Sequence, residues 1–329
     1  MVADALRADG ADVVFVGGER AEAELVPAAG YDLRRLRVEG LSRRNPLKAL
    51  RAIWRAGGAY RASYRLLREL APDAVLGGGG YVAGPVGLAA VRLKIPLVLT
   101  EADSHLGLTN RMLAPFANRV CLAFPIAQRT GERFRVTGRP IPPPATDRFA
   151  ARDRFGIDRG EVSVLVFGGS LGARSLNTAA MAAFRDADFH VLHVAGERDF
   201  ASLESPGPHY DLYPYLDGFG EALLAADLVV ARAGGSVFEI AAHGRPAVLV
   251  PYPSAAGDHQ TGNARWMVDA GAAVMLVDDP LLPARLQETV YALLDDPDRL
   301  EAMRSASAAL AKPAAGRAVA AQVLAAAGR

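Results

Sequence analysis

The sequence predicts two α/β domains, each built on a parallel sheet, joined by a proline-rich linker and burying a ligand in the cleft between them. Three features of the chain point there. Short apolar runs such as Val13-Val14-Phe15-Val16 and Leu228-Val229-Val230 alternate with helix-length segments, the rhythm of β-α-β units. That rhythm breaks at Arg139-Pro140-Ile141-Pro142-Pro143-Pro144, a stretch that cannot continue a helix or a central strand. Glycine-rich turns follow several strands, and open α/β sheets bind ligands beyond the carboxyl ends of their strands.

In chain order, the opening MVADALRA reads as the tail of an amphipathic helix that Gly10 stops, followed by a strand over 12–16. A helix over 19–29 follows, then strands over 74–76, 97–100 and 119–123. Beyond the linker, strands are expected over 162–167, 190–195, 228–231, 247–250 and 273–277, and a last alanine-rich helix over 316–327. The domains are therefore 1–143 and 144–313, with 314–329 a terminal helix able to pack back on the first domain.

Composition bounds the function. The chain has 329 residues, 51% hydrophobic and 22% charged, with a net charge of +1, which fits a globular protein of two domains and gives no overall call for a polyanion. Cys121 is the single cysteine, so an internal disulfide and a cysteine-rich metal site are excluded. No apolar run reaches the roughly 18 residues of a membrane span, and no secretory leader opens the sequence.

The chain is organised around residues 231–246, a buried strand, the turn Arg232-Ala233-Gly234-Gly235, a short helix that Ser236 is placed to cap, and a second strand. Such a turn presents backbone N–H groups and a positive helix end to an anion. Glu239 is positioned to accept a hydrogen bond from a sugar hydroxyl, so the expected ligand is a phosphorylated sugar or nucleotide. The plainer reading is that the glycines only make the bend. Gly168-Gly169-Ser170-Leu171-Gly172-Ala173-Arg174 and Gly77-Gly78-Gly79-Gly80-Tyr81 repeat the pattern, but neither matches G-x-G-x-x-G or G-x-x-x-x-G-K-[ST], which disfavours NAD binding and ATP hydrolysis. In 258–263, His259 and Gln260 read as sugar contacts, or Asp258 merely caps the next helix. Glu101 and Asp103 sit at a strand's carboxyl end, where paired acids suit a base, or Asp103 or Ser104 caps a helix. His190, His193, His209 and His243 show no ligand spacing, so no metal is expected.

Charge is concentrated in 34–68, where Arg34, Arg35, Arg37, Arg43, Arg44, Lys48, Arg51, Arg55, Arg61, Arg65 and Arg68 face one acid, Glu39. From Pro46 this segment reads as a helix with Leu47, Leu50, Ile53, Trp54, Tyr60, Tyr64 and Leu67 interleaved. A basic amphipathic helix carrying aromatics suits an anionic membrane surface, and the alternative is a core-facing stripe with a solvated basic face. Nucleic acid is the less economical partner.

Taken together, Gly79-Gly80-Tyr81-Val82-Ala83-Gly84-Pro85, the run 168–177, the run 232–244 and Asp258-His259-Gln260-Thr261-Gly262-Asn263-Ala264 resemble the signatures of the MurG family over nearly the whole chain. These are the UDP-N-acetylglucosamine–N-acetylmuramyl-(pentapeptide) pyrophosphoryl-undecaprenol N-acetylglucosamine transferases. The resemblance implies two Rossmann-like domains facing a cleft, the GT-B glycosyltransferase fold, inverting the anomeric centre with no cofactor or bound metal. It implies UDP-N-acetylglucosamine as donor, lipid I as acceptor and lipid II as product, on the cytoplasmic face of the bacterial membrane. Residue by residue, it gives Glu239 the ribose hydroxyls and the Leu216 backbone the uracil. Ser170, Gly172, Arg174, Gly234, Gly235 and Ser236 fall to the diphosphate side, and His259, Gln260 and Asn263 to the sugar. On the acceptor side it places Gly79, Gly80, Tyr81, Asn110 and Arg139, with Glu101 or Asp103 as base, and it matches the basic helix to a membrane-docking patch.

The chain departs from the family at three places. The family's opening strand and G-G-T-x-G-H loop precede the point at which Met1 stands: either the start codon is placed too far downstream, or the first strand of the amino-terminal domain is absent and its neighbours lack their pairing partner. The family's H-E-Q-N reads Thr100-Glu101-Ala102-Asp103, and its G-N-P-V-R reads Gly138-Arg139-Pro140-Ile141-Pro142. Two other classes compete: a UDP-N-acetylglucosamine 2-epimerase, and a nucleotide-sugar-binding remnant without catalysis.

Overall fold

The computed structural model describes residues 1–36, 46–169 and 172–328, with side chains throughout except at 46–56 and 256. The chain divides into two compact units, Met1–Pro140 with Ala314–Arg329, and Ile141–Pro313.

In the first unit, α1 (Val2–Ala8) ends at Asp9 and Gly10. Gly10 takes φ +80°, which lets its N–H reach Arg7 O at 3.0 Å and that of Ala11 reach Leu6 O at 3.0 Å. Then follow β1 (Val14–Gly17), α2 (Glu22–Ala28), β2 (Asp32–Arg35) and the long α3 (Pro46–Leu70). The chain continues through β3 (Val75–Gly77), α4 (Gly80–Leu93), β4 (Leu97–Glu101), α5 (Leu108–Leu113), β5 (Arg119–Leu122) and β6 (Phe134–Val136). All pairings are parallel, but they form two sheets, β1-β2 and β3-β4-β5-β6, and no ladder joins them among the described residues. Side chains knit them together instead. Val16 and Leu36 pack with Val75, Leu97 and Leu99 on one side, while Val13 and Leu76 pack with Val98, Cys121 and the helical residues Leu6, Val319 and Val323 on the other. The terminal helix α14 (Ala315–Ala326), numbered last in chain order, thus covers β4 and β5 of this unit.

The second unit runs α6 (Arg148–Arg154), β7 (Ser163–Phe167), α7 (Arg174–Ala183), β8 (His190–Val194), α8 (Glu197–Phe200), β9 (Tyr210–Tyr213) and α9 (Phe219–Ala225). It closes with β10 (Leu228–Ala231), α10 (Val237–Ala242), β11 (Ala247–Leu249), α11 (His259–Asp269), β12 (Ala273–Met275), α12 (Leu282–Leu294) and α13 (Pro297–Ala309). One parallel sheet results, ordered β12-β11-β10-β7-β8-β9. Its central strands are buried on both faces, which is why they read as continuous apolar runs. On one face Val164, Val166, Val230 and Val248 meet Leu176 and Ala180 of α7 and Leu286 and Val290 of α12. Each such Val or Leu stabilises the unit by roughly 1.5–3 kcal/mol relative to an exposed side chain.

The expected strands all form, with bounds shifted by a residue or two. Three more, β2, β6 and β9, have no counterpart in the sequence reading, and each is the outermost strand of its sheet. Edge strands keep a wet side and carry charge, and DLRR, FRV and YDLY hide the apolar signature accordingly.

Candidate functional site

The order of the second sheet locates a crevice. From β7 the chain steps outward to β8 and β9, then returns to β10 and proceeds the other way through β11 and β12, so connections diverge between β7 and β10. Ligands bind at such a switch point, outside the carboxyl ends of the strands. The loops leaving β7, β10 and β11 are those containing Gly172, Gly234 and the 250–258 segment.

Side chains show that these loops meet. Arg232, immediately after β10, donates from Nη1 to Val250 O (3.0 Å) and Pro251 O (3.2 Å), and from Nη2 to Ser175 Oγ and Asp278 Oδ2 (both 2.7 Å). Ser175 Oγ in turn donates to Asp278 Oδ2 at 2.8 Å. From α11, Asn263 Nδ2 donates to Ala233 O at 3.1 Å. One buried guanidinium and one buried amide thus fasten the first turn of α7, the turn after β10 and the loop after β11 to one another.

The turn at 233–236 presents its amides openly. Among the described residues the N–H groups of Gly234, Gly235 and Ser236 donate to no backbone carbonyl, whereas those of Val237 and Phe238 fold back on Gly234 O and Gly235 O. Ser236, expected to cap α10, stands at its N-cap but makes no side-chain cap bond, and its backbone is already helical at φ −61° rather than in the extended conformation a capping residue takes. Gly234 has neither a left-handed φ nor a neighbour within 4 Å of where a Cβ would stand. The bend does not require glycine there, and open space lies over the backbone. Gly172 is the reverse case: φ is +79°, and a Cβ would stand 2.5 Å from Ala195 O and 2.8 Å from Asp199 Oδ2.

Glu239 lies half-buried in α10, and His243 closes that helix by donating from Nδ1 to Glu239 O at 2.7 Å while its Nε2 accepts from Ala145 N at 3.1 Å. Burial lowers the His243 pKa, in keeping with this neutral tautomer. Leu216 is buried between β9 and α9, with Tyr215 exposed beside it. His259 and Gln260 are half-buried at the start of α11, and Gln260 Oε1 accepts from Tyr252 N at 2.9 Å. Asp258 stands at the N-cap of α11 without a side-chain bond to a helix N–H; its carboxylate accepts instead from Thr261 Oγ1 at 2.6 Å. Asn263, placed by the sequence on the sugar, is fully buried and holds the Ala233 carbonyl, so it shapes the turn. Arg174 opens α7 with an exposed side chain 3.7 Å from Asp199. Ser170 lies outside the described residues.

Sequence reasoning missed the support behind α7. Asn177, fully buried, donates from Nδ2 to Ala195 O (2.9 Å) and Asp199 Oδ2 (3.3 Å), which turns its Oδ1 toward His193 Nε2 at 3.1 Å. His193 Nδ1 then accepts from Tyr210 O–H at 2.7 Å. Burial pushes the His193 pKa down to about 4, so the imidazole is neutral. Only the run of apolar neighbours around His193 signals this in the sequence.

In the first unit, Gly79 and Gly80 are both left-handed, with φ +79° and +77°, and start α4. Thr109 Oγ1 donates to Gly80 O at 3.0 Å, tying that start to α5, and Tyr81 is exposed beside it. Glu101, read as a candidate base, is corrected by its surroundings. Its buried carboxylate accepts from Ala102 N (3.0 Å), Asp103 N (3.4 Å), Gly107 N (2.8 Å) and Asn110 Nδ2 (3.0 Å), which uses it to clamp the 102–107 loop. Neither Asp103 nor Ser104 caps α5, whose N-cap is Gly107. Asp103 is half-buried in the clamped loop. Asn110 is buried, donates also to Thr100 O at 2.8 Å, and its Oδ1 has no partner among the described residues, an acceptor awaiting a donor. Arg139 is half-buried just beyond β6.

The basic helix divides its described residues between two faces. Ala59, Ser63 and Leu67 are buried and Tyr60 and Tyr64 pack on the same core, because their spacing gathers them on the face of α3 that meets α4. Tyr60 and Tyr64 are thus partly covered by this core. Arg61, Arg65 and Arg68 share the opposite, exposed face. Arg37, Arg43 and Arg44 lie outside the described residues, as do the side chains of 46–56. Among the described residues no helix is long and apolar enough to cross a membrane.

Comparison with known proteins follows the same division. Residues 1–122 match the glycosyltransferase family 28 N-terminal domain and residues 163–319 its C-terminal domain. The UDP-N-acetylglucosamine–N-acetylmuramyl-(pentapeptide) pyrophosphoryl-undecaprenol N-acetylglucosamine transferase of Moorella thermoacetica is 38% identical, over 94% of this chain and 89% of its own length. The protein of the same description from Halorhodospira halophila is 41% identical, over 95% and 89%. The crystal structure of Acinetobacter baumannii MurG superposes with a TM-score of 0.82 at 29% identity, covering 98% of this chain and 94% of that one.

Proposed function

The chain belongs to the MurG family of glycosyltransferases, with the GT-B fold, and we propose how its own residues carry the family's reaction. It is a UDP-N-acetylglucosamine-dependent N-acetylglucosaminyltransferase that makes lipid II from lipid I. Relatives of that description at 38% and 41% identity favour this over the 2-epimerase reading. The observation carrying the residue assignment is the meeting of three loops at the β7/β10 switch point, bound by Arg232.

In the second unit, the open amides of Gly234, Gly235 and Ser236 receive the diphosphate, and Gly172 and Arg174 border it with Ser170. Glu239 accepts from the ribose hydroxyls and the Leu216 backbone meets the uracil. His259 and Gln260 reach the N-acetylglucosamine hydroxyls, while Asn263 holds the turn in place from behind. The C4 hydroxyl of the muramyl sugar attacks the anomeric carbon as the bond to UDP breaks, inverting that centre. Charge then grows on the departing diphosphate, where preorganised N–H groups stabilise it most. On the acceptor side, Asn110 Oδ1 offers an acceptor beside Gly79, Gly80 and Tyr81, and Arg139 offers a cation. With Glu101 spent on its loop, Asp103 is the carboxylate left to take the hydroxyl proton.

Arg61, Arg65 and Arg68 are a face for anionic lipid headgroups at the cytoplasmic side of the membrane, each worth about 1 kcal/mol near such a surface. Nucleic acid has no part in this reading.

Isothermal titration of UDP into Glu239→Ala tests the donor assignment. Losing hydrogen bonds to a charged acceptor costs about 1.5–3 kcal/mol, so affinity is expected to fall roughly 10- to 150-fold while the chain stays folded. Wild-type affinity in the variant would remove Glu239 from the site.

A further inference from the structure

The far end of the second sheet, at the amino ends of β7, β8 and β9, gathers a second set of polar groups. We propose that Glu161, His190 and His209 bind a divalent transition metal of zinc type, with Asp211 orienting one ligand.

Sheet register places them. Val191 pairs with Tyr210, which sets His190 beside His209, and Ser163 pairs with His190, which sets Glu161 one pleat before that row. Registered neighbours and residues two apart share a face, so Glu161, His190, His209 and Asp211 all project to the side of the sheet that carries Ser163. One ligand atom from each of Glu161, His190 and His209 lies within 4.8 Å of the others. Glu161 Oε1 stands 3.5 Å from His190 Nδ1 and 3.8 Å from His209 Nδ1. A charge-assisted hydrogen bond would be about 2.7–2.9 Å, while ligands of a tetrahedral zinc at Zn–N of about 2.0–2.1 Å stand about 3.3 Å apart. The spacing therefore suits a shared ion better than a direct proton.

His190 is prepared for the role. Its Nε2 lies 2.9 Å from Asp211 Oδ2, the carboxylate–histidine arrangement that fixes a ligating imidazole and leaves Nδ1 to the metal. His190 is buried, Glu161 half-buried and His209 64% exposed at its side chain, which gives a fixed base and an open path for the ion and for water as fourth ligand. His209 ends the segment between α8 and β9, so the ion would fasten that loop to the sheet. The site lies at the opposite end of β7 from the nucleotide loops.

The test is titration of zinc chloride into the EDTA-treated, dialysed full chain by calorimetry, with cobalt(II) followed by visible absorption. One ion per chain is expected, with the intense bands of a four-coordinate cobalt site. His209→Gln and Glu161→Gln should each weaken zinc by about 100-fold, and Asp211→Asn by about 10-fold. His209 is exposed, so its substitution should leave the melting temperature in EDTA unchanged and separate ligand loss from unfolding. Binding of less than one equivalent at micromolar zinc, or wild-type affinity in both His209→Gln and Glu161→Gln, overturns the proposal.

Discussion

Acidification from pH 7 to pH 5 is expected to loosen the second unit through His193. The imidazole takes a proton near 6.5 in the unfolded chain but near 4 in the fold, because burial penalises the charged ring. Between those values the unfolded state holds the extra proton, so stability is complete above 6.5 and is lost as pH falls toward 4. At about 1.36 kcal/mol per pKa unit, the whole window is worth roughly 3.4 kcal/mol, of which about 2 kcal/mol is gone by pH 5. Urea denaturation measures it, with Trp54→Phe leaving Trp266, whose ring lies tilted by 36° against Phe238 with centroids 4.8 Å apart, as the reporter of this unit. Carboxylates contribute to the same curve, so the informative quantity is the gap between wild type and His193→Asn. At pH 7 the variant should be less stable by about 1–3 kcal/mol, since Asn177 Oδ1 and the Tyr210 hydroxyl lose partners. That gap should shrink by about 2 kcal/mol at pH 5. Parallel curves at the two pH values would refute the reasoning, because they would mean that the buried ring does not resist protonation.

Three further outcomes are expected. Gly234→Ala should leave urea stability within about 0.5 kcal/mol yet weaken UDP in calorimetry, whereas Gly172→Ala should cost at least about 1–2 kcal/mol of stability from its left-handed φ alone. Arg232→Met should destabilise by about 3–5 kcal/mol in the same assay, because Asp278 is left buried without its cation, and adding Asp278→Asn should recover part of the loss. Cys121, whose thiol burial pushes up to about 11, should resist iodoacetamide at pH 8 until urea unfolds the first unit, as counted by mass spectrometry.

The fold was legible where strands are buried on both faces and obscure where they are not. Leu228-Val229-Val230 and 163–167 announce themselves because water touches neither side. Asp32–Arg35 and Tyr210–Tyr213 are strands only by virtue of a neighbour's ladder, and their own residues face solvent often enough to read as loop. A pattern read along one segment cannot register a partner supplied from elsewhere in the chain.

The site divides along a similar line. Glycine-rich turns at strand ends could be read because the backbone itself makes those features, and local sequence controls the backbone. What a carboxylate or amide does with its hydrogen bonds is decided by residues far away in sequence. Glu101 reads as a candidate base until Gly107 and Asn110 are seen to occupy it, and Asn263 reads as a sugar contact until Ala233 O is found at its end. Arg232 shows the same limit from the other direction. Nothing in its neighbourhood marks it as more than a turn residue, yet its bonds reach partners 18, 46 and 57 positions away. The switch point is therefore built from two layers: backbone amides left open at the 233–236 turn, and a buried scaffold of long-range polar bonds that holds that turn in place. The first layer can be read from a line of sequence; the second exists only once the sheet has formed.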